Sequence, residues 1–528
     1  MSGPDESYSD RIARNTFYNA IARVLGMLIS FFLTPYILSH LGVEYFGIWS
    51  IVWVLTGYLG LLDLGLGTSF VRYTSLYYVK GEKENLRKMM NSGLFFYMVV
   101  NIFLFAAVLI FSRPILRFFN LPAGFKEEAA VAMILGVVSL GLSNLFNVFN
   151  SVLYGLQRLD LSVKIGALVS VPLVFGTIFV LESGYGLIGL MYNYVLASLL
   201  LLIAGGIMTY RILGETWKIG FIYIRISMLK KLVRFGLTLQ LSQLSQMVSF
   251  HYDKMLISHF LGIVQVTYYE IGSKLTQMMR SLPAFMTAAI TPAASEMEIK
   301  RGLDKVWELY SRGTKYLLIA GIPLFLFITL EAREVIFIWI GKDYQLSTNV
   351  VRILSIGFFL NFICSIASSV TWGIGKVDLE LKRGFLTIAL NLILSLILIM
   401  KFGFIGAAIG TSLSLIVGSV YFLKLFKDYF KKSASEILSP FLKPMIAGFV
   451  SAGVLFFAEQ VISLSFTGNR GDALILLFLK GTLFVFVYVV IILNIRYLDN
   501  YDRALIVEKM PIIKNIGERF KRKRNHLG

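Results

Sequence analysis

The 528-residue chain is poor in charge: Asp, Glu, Lys and Arg together make up only 15% of it. A water-exposed domain covers its surface with roughly 25% charged residues, so a soluble globular protein of this length is excluded. There is one cysteine, Cys364, which rules out an internal disulfide, and the four histidines are scattered. Neither residue type offers a metal-ligand spacing, and no metal site is expected. No GxxxxGK[ST] loop occurs, so the chain carries no ATP motor of its own. Period-2 alternation is missing too, which argues against a β-barrel. The N-terminal stretch is polar, and no small-residue cleavage site follows the first apolar run. That run therefore reads as a retained helix rather than a signal peptide.

What is present is apolar: 57% of the residues are hydrophobic. Runs such as "SGLFFYMVVNIFLFAAVLIF" (92–111) and "ALILLFLKGTLFVFVYVVIIL" (473–493) match the length of about 20 residues that crosses a bilayer as a helix. Apolar windows and polar breaks give about fourteen transmembrane spans, centred near residues 27, 57, 101, 139, 172, 198, 245, 278, 323, 361, 393, 413, 451 and 483. With the N-terminus inside, the inside connections hold 37 Lys and Arg and the outside ones 8. That excess sets the orientation in the cytoplasmic (inner) membrane, with both termini cytoplasmic. The net charge of +19 thus reports topology rather than a nucleic-acid partner. The basic tail "ERFKRKRNHLG" is an ordinary retention charge near anionic lipid headgroups.

The chain also repeats itself. "SVLYGLQRLDLSVKIG" (151–166) and "SVTWGIGKVDLELKRG" (369–384) align without a gap at a shift of 218. The pair Ser39-His40 recurs as Ser258-His259 at a shift of 219. Spans 1–6 and 7–12 are therefore read as duplicated units, and an even span count makes them parallel repeats. The expected architecture is all-α: an N-terminal lobe over 1–213 (spans 1–6), an amphipathic linker over 214–232 lying on the inner membrane surface, and a C-terminal lobe over 233–430 (spans 7–12). Two extra helices follow over 431–495, then a basic cytoplasmic tail over 496–528.

An ionisable residue inside a span costs several kcal/mol and faces a partner or a water-filled cavity. Within the twelve repeated spans the candidates are Arg23, Asp63, Asp253, Lys254, Glu270, Lys274 and Arg280. They fall on spans 1, 2, 7 and 8, the first two of each repeat, so those four are expected to line a cleft between the lobes. Arg23, Lys274, Arg280 and Lys254 would make that cleft basic enough for an anionic substrate, with arginine suited to phosphate. Asp63, Asp253 and Glu270 are the candidate coupling or cavity carboxylates. Asp253 is expected to face the cleft and reach Arg23 or Lys274, Lys254 to face the outer headgroups, and Glu270 to pair with Lys274 four residues on. The simpler alternative is that these groups only neutralise one another. "GLLDLGLGTSF" (60–70) sits in a span and is expected to loosen it around Asp63.

At this point the residues show a family likeness. "RNTFYNAIARVLGMLISFFLTPYILSHLGVEYFGIWSIVWVLTGYLGLLDLGLGTSFVRY" and "DKMLISHFLGIVQVTYYEIGSKL" resemble the polysaccharide-biosynthesis and O-antigen flippases of the multidrug/oligosaccharidyl-lipid/polysaccharide exporter superfamily. The resemblance implies twelve helices in two lobes around a central cavity, some members adding two helices that form a lipid groove. It also implies movement of a polyprenyl-diphosphate-linked oligosaccharide from the inner to the outer leaflet, without cofactor, by alternating access. Coupling to H+ or Na+, and partners such as the glycan polymerase and glycosyltransferases of the same pathway, belong to the same expectation. Two other functions compete. A cation-coupled multidrug exporter shares the fold, but an acidic cavity without Arg23 and Arg280 would favour it. A membrane glycan polymerase or ligase needs catalytic groups in a sizeable outside loop, and the longest outside connections (112–128 and 331–352) contain no histidine.

Overall fold

The computed structural model describes residues 8–281, 283–461, 469–499 and 502. Every regular element among them is a helix: α1 (Tyr8–Gly60), α2 (Leu66–Val79), α3 (Lys83–Phe118), α4 (Lys126–Gly155), α5 (Leu159–Glu182), α6 (Gly186–Leu213), α7 (Ile226–Leu261), α8 (Ile263–Ser281), α9 (Pro283–Arg301), α10 (Leu303–Leu330), α11 (Ala332–Ile340), α12 (Gln345–Gly373), α13 (Val377–Phe430), α14 (Ala434–Val461) and α15 (Arg470–Asn494), with a few single 3-10 turns between them.

Ten segments among the described residues are long and apolar enough to cross a membrane. Two of them, Ala20–Asp63 and Val377–Phe430, have 44 and 54 residues. At about 1.5 Å per residue, each is far longer than the roughly 30 Å apolar core needs. Each turns back at a glycine with positive φ, Gly42 (φ 75) and Gly403 (φ 58), a backbone state that favours glycine. Both segments therefore cross twice. The remaining crossings are α7 and the α8–α9 pair, which are less apolar, since they carry Gln240, Gln243 and Gln246 as well as Asp253, Lys254, Glu270, Lys274 and Arg280. Among the described residues the result is the fourteen crossings expected, with each predicted centre inside one of them. Side chains such as Phe103, Phe175 and Phe478 stand more than 60% exposed, a surface suited to lipid rather than water.

An even count returns the described chain to the face where it starts. This basic face carries Tyr8 and Asp502; the other is called the far face. The first repeat packs through α4 against α3, α6 and α2, and the second through α12 against α13, α8 and α9. α14 and α15 pack on each other and on α10. Their anchor is ionic: Lys480 of α15, 4% exposed, bonds Glu331 at 2.9 Å and also pairs with Glu459 of α14. Beyond α15, buried Asp502 takes Lys315 and the Tyr316 hydroxyl (2.6 Å). The basic tail from residue 503 lies outside the described residues.

Two local expectations need adjustment. The linker is not a surface helix: residues 214–225 make two single turns, Gly214–Thr216 and Phe221–Tyr223, and α7 already starts at Ile226. The reason is that α3 offers the linker backbone fixed partners. Asn91 donates to the Lys218 carbonyl and accepts from the Gly220 amide, both at 2.8 Å, and Ser92 accepts from the Arg225 amide at 2.9 Å. Such side-chain bonds compete with helix formation. The second concerns span 2, which does loosen at Asp63 but breaks outright. A 3-10 turn at Leu61–Asp63 is followed by left-handed Leu64 (φ 52) and Gly65 (φ 69) before α2 begins.

The two repeats meet on both faces. On the basic face, Gly65 lies against the backbone of Gly236 so closely that a Cβ would stand 2.4 Å from its carbonyl oxygen. Beside it, Ser69 donates to the Leu232 carbonyl at 2.7 Å. On the far face, Thr267 donates to the Val43 carbonyl (2.5 Å), Trp339 to the Phe31 carbonyl (2.8 Å) and Asn120 to the His259 carbonyl (2.6 Å). Ser258 and His259 bond the Phe119 and Phe118 carbonyls at the C-terminal end of α3. That second Ser-His pair is thus a clasp between repeats.

Single cysteines placed at Lys431 and at Gly184 should react with a membrane-impermeant maleimide from opposite sides of the membrane. The native Cys364 is buried and should stay silent. Labelling of both from one side would remove the even count and the parallel repeat.

Candidate substrate cavity and charged interior

A cavity of about 550 Å³ runs from the middle of the bundle toward the basic face. Its walls are α8, α9, α12 and α13 of the second repeat, and α1 contributes Arg23 alone. Three of its lining residues are arginines, Arg23, Arg280 and Arg383, against one carboxylate, Glu380. The Arg280 guanidinium stands 6.0 Å from the Phe358 ring centre and that of Arg383 4.9 Å from Phe422. Aromatic faces hold cations in such positions by their quadrupole. Glu380 pairs with Arg383 and accepts from the Ser368 hydroxyl at 3.2 Å. A second hollow of about 440 Å³ lies between α1 and α8, lined by Arg23, Gly26, Met27, Lys274, Gln277 and Met278 among others. It shares Arg23, Gln277 and Ser281 with the first, so the polar cavity continues sideways between two helices.

Of the seven residues singled out from sequence, Arg23, Arg280 and Lys274 line these hollows; Lys254, Asp253, Glu270 and Asp63 do not. Lys254 is 4% exposed and forms its ion pair with Glu270, so it does not point to outer headgroups. It also displaces Lys274 as the expected partner of Glu270. Lys274 instead sits 5.9 Å from the Trp49 ring centre. Glu270 further accepts from Ser50 of the first repeat at 3.4 Å, which puts the pair at the contact between repeats.

Asp253, adjacent to Lys254, points the other way. The expectation that it faces the cleft and reaches Arg23 or Lys274 is corrected: it is fully buried inside the second repeat. Adjacent helical residues diverge by about 100°, so only one of the two can face the repeat contact. Asp253 accepts from the hydroxyls of Tyr269 and Thr411. Asn391 joins them, donating to Thr411 at 2.8 Å and to Ser395 at 3.2 Å. Two buried oxygens of this cluster, Asp253 Oδ1 and Asn391 Oδ1, have no hydrogen-bond partner. Asp63 lies at the break in span 2 and accepts from the Tyr97 hydroxyl of α3 inside the first repeat.

Sequence reasoning missed Glu380 and Arg383. Residues 373–383 read as an inside connection, whereas α13 starts at Val377 and carries both residues into the cavity. A signal existed in the repeat itself. At the shift of 218, Glu380 and Arg383 stand where the first repeat has Ser162 and Ile165.

The fold is shared with solved transporter structures of low sequence identity. A solved structure of the lipid II flippase MurJ in an inward closed conformation superimposes with a TM-score of 0.70 at 17% identity, covering 90% of this chain and 98% of that one. An inward-facing multidrug-resistance MATE family transporter gives 0.67 at 17% identity, covering 78% and 98%. In sequence, the polysaccharide biosynthesis protein family matches residues 12–298 and MatE matches 239–397. The chain belongs to the polysaccharide biosynthesis protein family. Among curated relatives, a Shigella flexneri protein named as an O-antigen transporter is 22% identical over 78% of this chain and 96% of its own. A Haloferax volcanii protein named as the low-salt glycan biosynthesis flippase Agl15 is 22% identical over 86% and 91%.

Removing one partner of a buried ion pair leaves the other charge stranded, at a cost of about 3–5 kcal/mol. Lys254→Met alone should therefore lower the unfolding midpoint in detergent markedly, and Lys254→Met combined with Glu270→Gln should recover most of the loss. A single variant as stable as the wild type would show that the pair does not hold the repeats' contact.

Proposed function

We propose that the protein moves a polyprenyl-diphosphate-linked glycan, an O-antigen or other surface polysaccharide unit, from the inner to the outer leaflet of the cytoplasmic membrane. It does so as a transporter rather than an enzyme. The observation that carries this reading is the arginine-rich cavity with its side hollow. Arg23 and Arg280 supply two-pronged donors that match the oxygens of a diphosphate. The hollow between α1 and α8, with Met27 and Met278 on its walls, lets a polyprenyl tail stay in lipid while the headgroup enters. With the basic face cytoplasmic, as the Lys and Arg distribution favours, this state accepts substrate from the inside and is closed on the outside. The relatives named as O-antigen transporter and glycan flippase support the same assignment, and the enzymes that build and polymerise such glycans are then its pathway partners.

The cluster around Asp253 suits the coupling cation. Its orphaned oxygens, one carboxylate and one amide, stand beside the Thr411 and Ser395 hydroxyls. An all-oxygen set of this kind matches a proton or Na+ better than a transition metal. A cation-coupled drug exporter remains the competing reading, because MATE transporters share the fold. A cationic drug, however, would meet Arg23 and Arg280, while the cavity's one carboxylate, Glu380, is already paired with Arg383.

In proteoliposomes, the wild type should flip a radiolabelled polyprenyl-diphosphate glycan and show no drug efflux. Arg280→Ala and Arg23→Ala should abolish flipping at normal membrane abundance, with lysine rescuing only in part. Normal flipping by both alanine variants would remove the diphosphate assignment.

Asp253→Asn should abolish the dependence of flipping on the H+ or Na+ gradient while substrate binding persists. If the wild type responds to neither gradient, the cation assignment falls.

A further inference from the structure

We infer that the pocket in the second repeat around Glu380, Arg383 and Trp372 is a glycan subsite, which holds the neutral sugar attached to the diphosphate. This rests on the reading of the cavity as a diphosphate site and adds what lies beyond the phosphates. The argument begins with the duplication. In the first repeat, Ser162 donates to Asn150 at 2.5 Å and ties α5 to α4. At the shift of 218 the same positions are Glu380 and Ser368, and they bond again at 3.2 Å, tying α13 to α12. The helix contact is thus satisfied by neutral groups in one copy, so packing alone does not require a charge there. The second copy nevertheless carries Glu380, and Arg383 replaces Ile165, which is 4% exposed in its own copy. An ion pair added to a contact that works without one, on the wall of a cavity, points to a ligand.

The chemistry of that wall fits a sugar. Glu380 and Arg383 neutralise each other, so together they offer acceptors and donors without attracting a further anion. Arg383 also keeps a buried Nη1 with no hydrogen-bond partner. Apart from Arg280 and Arg23, the rest of the cavity lining is uncharged and rich in hydroxyl and amide groups, Asn361, Ser365 and Thr387 among them. Hydroxyls both donate and accept, as the hydroxyls of a hexose require. Trp372 lines the same cavity and is 41% exposed, leaving an apolar ring for the C–H face of a pyranose. The cavity volume falls in the range of roughly 300–1,000 Å³ typical of small-ligand sites. Arg280, one helix away on α8, lines the same space and is placed for the phosphates.

The test compares two lipids, polyprenyl diphosphate and the same lipid carrying one neutral N-acetylhexosamine, by native mass spectrometry of the detergent-solubilised full chain. The wild type should bind the glycosylated lipid about tenfold tighter or better, that is about 1.4 kcal/mol. Glu380→Ser combined with Arg383→Ile installs the residues the first repeat already uses at these positions, so the fold should tolerate it, and an unchanged unfolding midpoint checks this. That variant should lose the preference while its affinity for the bare lipid stays within about twofold. Glu380→Gln, nearly isosteric, should move the same way, and Arg280→Ala should weaken both lipids. A preference that survives the double change, or an equal loss for both lipids, overturns the subsite. Equal binding of the two lipids by the wild type overturns it as well while sparing the diphosphate reading. Failure to bind either lipid overturns both.

Discussion

Lys254 and Glu270 meet at the contact between the two repeats, with Ser50 of the first repeat reaching the same carboxylate. Away from water, each of these charges alone would cost several kcal/mol, so their pairing decides how α7 and α8 sit against each other. That in turn sets which faces of the two helices are left for chemistry. The face of α7 about 100° round from Lys254 carries Asp253 into the interior of the second repeat. Further along α8, Lys274 and Arg280 are presented to the hollow and the cavity. The ionisable residues of these two crossings are thereby taken up by a pair, a buried cluster and a cavity wall.

The repeats share a scaffold but not a chemistry. The hydrogen bond between α4 and α5 returns between α12 and α13, and the Ser-His pair at the end of the first helix returns at the end of α7. What differs is charge. At the shift of 219, Asp253 stands where the first repeat has Thr34, whose hydroxyl merely bonds the Ser30 carbonyl of its own helix at 2.6 Å. Glu380 and Arg383 stand where it has Ser162 and Ile165. The second repeat therefore carries the carboxylate cluster and almost the whole cavity wall, and the first contributes Arg23 and the surfaces against which the second closes. A duplicated fold lets one copy keep the packing while the other takes on groups that packing alone would not select.

Much of this was legible beforehand. Long apolar runs can only be helices in lipid, so twelve of the fourteen crossings followed from hydropathy, and α7 and the α8–α9 pair from the polar breaks on either side of them. The loosening of span 2 at Asp63, though not its outright break, followed from a glycine-flanked carboxylate in a span. Direction was harder to read. "HYDKMLISHF" shows that Asp253 and Lys254 are both present, and helix geometry shows that they diverge, but not which of the two faces the other repeat. That choice depends on where Glu270, Tyr269 and Thr411 come to lie, and those are tertiary facts. Arg383 and Glu380 were hidden for a different reason. A charged stretch between two apolar runs reads as a loop, and only the actual start of α13 at Val377 places its first turns inside the cavity.

The way the far face is held shut bears on how such a molecule can open. Thr267, Trp339, Asn120 and Ser258 of that clasp bond backbone carbonyls, each such bond contributing about 0.5–1.5 kcal/mol net. No ion pair is among those contacts. The charges nearest the seam, Lys254 and Glu270, belong to the same repeat and would travel together. Rocking the repeats apart there would cost Glu270 only its long bond to Ser50 and would leave its ion pair intact. A charge pair divided between the repeats would instead strand two ions with every cycle, at several kcal/mol each. Keeping the strong pair inside one repeat, and leaving neutral bonds to the seam, spares that cost.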